Sequence, residues 1–137
     1  MKSTFKIENK IEVLADFAEA FQREVEPWNL PPALQMNLDL VLEEVLSNII
    51  HYGFSDQQLH WIEIHAVYEN GTVMLRISDD GVPFDPTEKA APDLTQSIED
   101  RPVGGLGIFL VRKLMDQVTY LRENDHNILI LEKTISS

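Results

Sequence analysis

The stretch His60-Trp-Ile-Glu-Ile-His-Ala-Val-Tyr-Glu-Asn70-Gly71-Thr-Val-Met-Leu-Arg-Ile-Ser-Asp79 decides the fold. Ile62, Ile64 and Ala66 alternate with Trp61, Glu63 and His65; Val73, Leu75 and Ile77 alternate with Met74, Arg76 and Ser78. A period of two puts each apolar set on one face of a strand, and Asn-Gly suits the left-handed positions of a tight hairpin turn. Residues 60–69 and 72–79 are therefore expected to pair antiparallel, with one face built for a core.

Working outward, residues 3–8 read as a short strand. Lys10 to Glu26 reads as an amphipathic helix, with Ile11, Leu14, Phe17, Phe21 and Val25 near helical spacing. Pro27 and Pro31-Pro32 punctuate, a second helix runs from about Pro32 to Tyr52, and Gly53 stops it. Beyond the hairpin, residues 80–103 are mostly polar and lack sustained periodicity, and a segment of that kind inside a compact domain usually carries function or is disordered. A helix from Gly104 to Met115 opens on glycines. Strands 117–123 and 128–135 form a last hairpin around Asn124-Asp125-His126-Asn127.

This order predicts an α/β (α+β) two-layer sandwich, with a mixed, mainly antiparallel sheet and helices on one face. No repeat, low-complexity segment or interior linker divides the chain, so residues 1–137 are expected to form one domain. That length closes a core without staples.

Composition excludes several functions. The chain has no cysteine, which removes disulfides, thiolate chemistry and cysteine-ligated zinc. Met1 to Lys6 leads straight into alternating residues, and no stretch approaches the roughly 18 apolar residues of a membrane span, so a soluble, cytoplasmic protein is expected. A formal net charge of -12 repels a phosphate backbone and argues against direct nucleic-acid binding. A nucleotide site in such a chain must meet its ligand's charge locally, with Mg²⁺, backbone N–H groups and a few basic side chains.

Three places carry chemistry. On the second helix Leu34, Leu38, Val41, Leu42, Val45 and Ile49 share one arc, while Glu44 and Asn48 stack one turn apart at its margin beside His51. Glu43 and Ser47 point toward solvent. A carboxylate and a carboxamide at a core margin suit a general base beside a metal ligand, since an amide oxygen is a hard donor for Mg²⁺. For an isolated pair of this kind, a solvated helix flank is the commoner outcome.

The second place is Asp79-Asp80-Gly81-Val82-Pro83-Phe84-Asp85. A strand-end Asp can accept from an amino group such as adenine N6, and Gly81 lets a flat ring approach the backbone; the plain alternative is a turn that caps the strand. The third is Gly104-Gly105-Leu106-Gly107, where a helix opening on glycines presents N–H groups and a positive dipole end to phosphate. It is not the dinucleotide fingerprint, because Leu110 stands where the third glycine belongs, and it lacks the Gly-Lys-Ser/Thr of a P-loop. A simple loop-to-helix turn is the alternative.

Taken together and in order, Glu44-x-x-x-Asn48, Asp79-x-Gly81-x-Pro83-Phe84-Asp85 and Gly104-Gly105-x-Gly107 resemble the N, G1 and G2 boxes of the GHKL ATPases. Asn48-Ile-Ile-His-Tyr-Gly53 and Gly105-Leu-Gly-Ile-Phe-Leu-Val-Arg-Lys-Leu-Met-Asp116 resemble the anti-sigma-factor serine/threonine kinases of the RsbW type. The likeness covers essentially the whole chain. It implies the Bergerat fold, with ATP held between the second helix, the Gly-rich helix and a lid over about 87–103.

By the same likeness Glu44 is the general base, Asn48 the Mg²⁺ ligand and Asp79 the acceptor for the adenine amino group. Gly81, Pro83 and Phe84 line the base pocket; Gly104, Gly105, Leu106 and Gly107 cradle phosphate, with Arg101 as a further contact. Pro83 stands where the wider superfamily often has a second glycine. The implied partners are a STAS-type anti-sigma antagonist, a sigma factor and a second copy of the chain. The main alternative is an ATP-dependent module that sequesters a partner without transfer, against which Glu44 speaks. The catalytic half of a histidine kinase would need a phosphoacceptor His on a dimerisation helix, and none of His51, His60, His65 or His126 lies in such a segment. A structural domain without nucleotide is the remaining reading, which the three boxes oppose.

Overall fold

The computed structural model describes residues 1–85 and 105–135. Its strands are β1 (Lys2–Glu8), β2 (Trp61–Glu69), β3 (Thr72–Asp79), β4 (Gln117–Glu123) and β5 (His126–Thr134). Its helices are α1 (Leu14–Val25), α2 (Pro32–Tyr52) and α3 (Gly105–Leu114). The first helix is shorter than its sequence pattern suggests: Ile11–Val13 and Glu26–Trp28 are single 3-10 turns flanking it. Ile11, read as a core position, is 43% exposed, because the tighter turn rotates it off the apolar face of α1. Asn29 follows at φ 54 and turns the chain into α2.

The strands form one sheet in the order β1-β2-β3-β5-β4. Every neighbouring pair is antiparallel, which narrows the expected mixed sheet to a wholly antiparallel one. The reason lies in β5. A helical crossover through α3 brings β4 back in the direction of β3, but the hairpin return of β5 fills the space between them, so no parallel pair touches. Both hairpins turn on two residues of positive φ, Asn70-Gly71 (53 and 75) and Asn124-Asp125 (52 and 63). The second turn is therefore two residues shorter than its polar run suggests, and His126 and Asn127 belong to β5.

Alternation along the strands gives the sheet two unlike faces. Ile62, Ile64, Ala66, Val73, Leu75, Ile77, Leu129 and Leu131 are buried on one, while Lys6, Trp61 and Glu63 stay exposed on the other. The three helices cover the buried face. From α2 come Leu38, Val41, Leu42, Val45, Leu46 and Ile49; from α1, Phe17, Phe21 and Val25; from α3, Ile108 and Val111. Leu46 joins the arc read from the sequence, fully buried on the side facing α1. Phe5 of β1 meets Phe17 edge-on at 5.3 Å, and Trp28 stacks on Tyr68 at 6.1 Å, which ties the turn after α1 to β2. This layer holds the middle of α2 against the ends of β3 and β5, where polar groups replace apolar ones.

Candidate functional site

The inward alternation Val73, Leu75, Ile77 continues onto Asp79, a carboxylate only 4% exposed. Register places Asn127 of β5 directly across from it. Asn127 Nδ2 donates to Asp79 Oδ1 at 3.1 Å and to the Val82 carbonyl at 2.7 Å. Its Oδ1 accepts from the Phe84 N–H at 3.3 Å and from the Tyr120 hydroxyl. The Gly81 N–H donates to the same Asp79 Oδ1 at 2.8 Å. One carboxylate oxygen is thus satisfied internally, and Oδ2 has no partner among the described residues. Burial pushes the Asp79 carboxyl above the usual range and Asp80 adds to that; the Asn127 and Gly81 hydrogen bonds and the Arg122 charge oppose it.

The turn after β3 is seated on the end of α2. Val82 N donates to the Gly53 carbonyl at 2.8 Å, and a Cβ on Gly81 would lie 2.0 Å from that same oxygen. Any larger residue at 81 forces the two segments apart. Arg122 Nη1 donates to the Gly81 carbonyl at 2.8 Å from the other side.

On α2, Asn48 is 6% exposed, and its side-chain amide makes no hydrogen bond among the described residues. A buried amide without a partner is uncommon and costly. Asn48, Asp79 and Phe84 line a common hollow with Ile108 of α3, Tyr120 and Asn127. Its volume is about 20 Å³, room for a water but short of a purine.

Glu44 lies one turn before Asn48, half-buried, and does not line the hollow. Partial desolvation raises its pKa above the ordinary 4.5, with the neighbouring Glu43 charge adding to the effect. Among the described residues there is no cluster of three or more His, Asp or Glu able to hold a metal. A divalent cation at this place would rest on the Asn48 amide oxygen and on ligand oxygens, the open arrangement that Mg²⁺ accepts.

The structure therefore brings Asn48, Asp79 and Phe84 to one hollow and sets α3 beside it. Gly105, Leu106 and Gly107 form the first turn of α3, so their backbone is helical as the glycine run suggests. Gly81 and Pro83 sit outside the hollow, on a shallow recess shared with Phe54, Asp56 and Arg122. Arg101, Gly104 and the lid expected over 87–103 lie outside the described residues. Sequence reasoning missed Asn127, Tyr120 and Arg122. The signal for Asn127 was its inward position two and four residues before Leu129 and Leu131, obscured by an Asn-Asp-His-Asn run that reads as turn.

The histidine kinase-like ATPase domain family matches residues 7–133. The serine/threonine-protein kinase BtrW of Bordetella bronchiseptica is 33% identical over 98 residues, which cover 72% of this chain and 69% of BtrW. The serine-protein kinase RsbW of Bacillus thuringiensis is 24% identical over 98 residues, 69% of this chain and 61% of RsbW. The chain thus spans less than two thirds of that relative's length. Among solved structures, the histidine kinase domain of a blue-light activated histidine kinase from Erythrobacter litoralis superposes with a TM-score of 0.58 at 18% identity, over 90% of this chain and 60% of that one. The Acinetobacter baumannii histidine kinase AdeS gives 0.53 at 14% identity, over 100% of this chain and 68% of that one. At such identities the two structures speak for the fold. Among the described residues no helix is long and apolar enough to cross a membrane.

Proposed function

Because the chain belongs to the histidine kinase-like ATPase domain family, we propose that it is a cytoplasmic, Mg-ATP-dependent serine/threonine protein kinase of a partner-switching module. The observation that carries this reading is the pairing of a buried amide with no hydrogen bond among the described residues, Asn48, with a buried carboxylate, Asp79, in one hollow beside the glycine-led helix. Neither group stabilises an apolar core, and both suit a polar ligand entering from outside. The kinase names of BtrW and RsbW support the reaction type.

The residues divide the work as follows. Asp79, held by Asn127 and Gly81 through Oδ1, offers Oδ2 to the adenine amino group, with Phe84 lining the same hollow and Gly81 and Pro83 on the neighbouring recess. Asn48 would hold Mg²⁺ through its amide oxygen, and the ion would supply charge neutralisation at the phosphates. By the resemblance, the N–H groups of Gly105, Leu106 and Gly107 at the start of α3 would meet phosphate, with Gly104 and Arg101 as further contacts. Glu44 takes the proton of the accepting hydroxyl, and its raised pKa makes it a stronger base than an ordinary carboxylate. Phosphoryl transfer asks chiefly for such positioning and charge neutralisation. The acceptor is proposed to be a serine or threonine of a STAS-type anti-sigma antagonist, the sequestered partner a sigma factor, and the working unit a homodimer, on the strength of the resemblance to the RsbW type.

Glu44→Ala is expected to keep nucleotide binding in calorimetry and to lower transfer to a cognate partner about 10²–10⁴-fold. Capturing partners in Mg-ATP and in Mg-ADP, with phosphosite mapping on what is held, supplies that partner. Undiminished phosphorylation by the variant would remove Glu44 from the base role. Nucleotide-dependent capture without any phosphosite would favour a sequestering module.

A further inference from the structure

Asn48, Asp79 and Asn127 are the buried polar residues among the described ones, and all three line one hollow. A fourth polar group reaches them from the edge of the sheet. Val118 and Tyr120 of β4 pack against the core, and register sets Tyr120 opposite Leu129, two residues along β5 from Asn127. The tyrosine therefore reaches Asn127 along the diagonal of the ladder, a span within range of an aromatic side chain. Its hydroxyl donates to Asn127 Oδ1, and the residue lines the same hollow as Asn48, Asp79 and Phe84.

The orientation of the Asn127 amide decides what Asp79 can offer. With Nδ2 at 3.1 Å from Asp79 Oδ1 and 2.7 Å from the Val82 carbonyl, the amide donates to an ionised carboxylate. Turned over, it would set its oxygen against both acceptors, and Asp79 could meet it only by carrying a proton. Two donors hold the amide oxygen away from them. One is the Phe84 N–H at 3.3 Å, the longest of the four bonds to this side chain; the other is the Tyr120 hydroxyl. A donor on Oδ1 also polarises the amide, which strengthens the bond that Nδ2 gives to Asp79. Arg122, the next inward residue of β4, holds the Gly81 carbonyl at 2.8 Å and leaves the amide to Tyr120.

We propose that Tyr120 is a positioning residue for base recognition: its hydroxyl holds the Asn127 amide so that Asp79 meets the ligand as an acceptor for an exocyclic amino group. It acts through Asn127 and Asp79. The proposal rests on the reading of this hollow as the adenine site.

The test titrates the full chain in calorimetry with Mg-ATP and with the Mg²⁺ complex of purine riboside triphosphate, which lacks only the amino group. The native chain is expected to prefer ATP by about tenfold or more. Tyr120→Phe keeps the ring and removes the hydroxyl; it is expected to weaken ATP about three- to tenfold and to change the analogue less than about twofold. In an Asn127→Ala background the same substitution is expected to change ATP binding less than about twofold, because no amide is left to orient. Tyr68→Phe, at a tyrosine that stacks on Trp28 and does not line the hollow, is expected to bind as the native chain does. Melting checks that each variant folds; if Asn127→Ala does not, Asn127→Ser replaces it. A native chain that binds both nucleotides equally, or neither, overturns the adenine reading and the proposal with it. A native chain that prefers ATP, with a Tyr120→Phe variant of unchanged preference, overturns the proposal alone. So does a Tyr120→Phe effect that persists in full without the Asn127 amide, which would place the hydroxyl on the ligand itself.

Discussion

At the scale of single residues, Asn127 carries more of the site than any group the sequence advertised. Its two amide protons go to Asp79 and Val82, and its oxygen takes Phe84 N–H and the Tyr120 hydroxyl. One side chain therefore orients the carboxylate that the base would meet and fixes the backbone that follows it. Asp79→Asn is expected to weaken nucleotide binding greatly in calorimetry, since an amide presents a competing donor where an acceptor is required; unchanged affinity would remove Asp79 from the base pocket. Asn127→Ala takes one hydrogen bond from the buried Asp79 carboxylate and one from the Val82 carbonyl, so it is expected to destabilise by about 1–3 kcal/mol and to weaken nucleotide binding as well. Denaturation and calorimetry on the same variant separate the two effects. A variant of native stability and native affinity would reduce Asn127 to a spectator.

At the scale of elements, the loop between α2 and β2 is pinned to the end of β3 by His60. Its Nδ1 lies 2.9 Å from Asp80 Oδ1, its Nε2 lies 2.8 Å from Asp56 Oδ1, and Phe54 stacks on the ring at 4.6 Å. Both ring nitrogens face carboxylates, so the doubly protonated ring satisfies both. The Asp56 hydrogen bond, with the Asp80 bond and both charges, raises the His60 pKa above its ordinary 6.5 against the opposing cost of desolvation. A raised folded-state value means the contribution is complete below pH 6.5 and is lost as pH climbs through the folded pKa. On the acid side Asp56, lowered by the Gln58 N–H and by His60, contributes above 3.8 and loses that contribution as pH falls through its depressed value. The urea midpoint of the native chain is therefore expected to fall, relative to His60→Gln, as pH rises from 6.5 upward. Parallel pH profiles for the two proteins would show that the latch contributes nothing.

Elements also mark where the sequence is readable. Ile62-Ile64-Ala66 and Val73-Leu75-Ile77 announce their strands because alternation is a local property, and Leu34 to Ile49 announce α2 for the same reason. Asp79 and Asn48 could be picked out because each departs from an apolar pattern at its end. Asn127 could not, since its meaning comes from β3 pairing with β5 across 48 residues of chain. Nor could the Gly53 carbonyl that makes Gly81 obligatory: a glycine in sequence does not say whether a ligand or another backbone fills the space.

At the scale of the whole molecule, one buried polar group sits in an apolar layer. Asn48 sits in the layer where α2 meets the sheet, among Val45, Ile49, Ile77 and Leu129, with no hydrogen bond to its amide among the described residues. Removing that amide relieves a desolvation cost, and a branched apolar side chain of similar size packs against the same neighbours. Asn48→Leu is therefore expected to raise the melting temperature of the ligand-free chain, by about 1 kcal/mol or roughly 3–6 °C. Mg-ATP at about a hundred times its Kd adds roughly 2.7 kcal/mol to a chain that binds it, so the native protein gains a further rise in melting temperature with nucleotide. The variant is expected to show no such gain, because the proposed cation ligand is gone. Stability and ligand response then move in opposite directions, as expected where a polar group is kept for function at the expense of packing. Scanning calorimetry of both proteins, with and without Mg-ATP, reads all four values. A ligand-free variant that melts below the native chain would mean that Asn48 is structurally satisfied, and the hollow would lose its main claim to a cation.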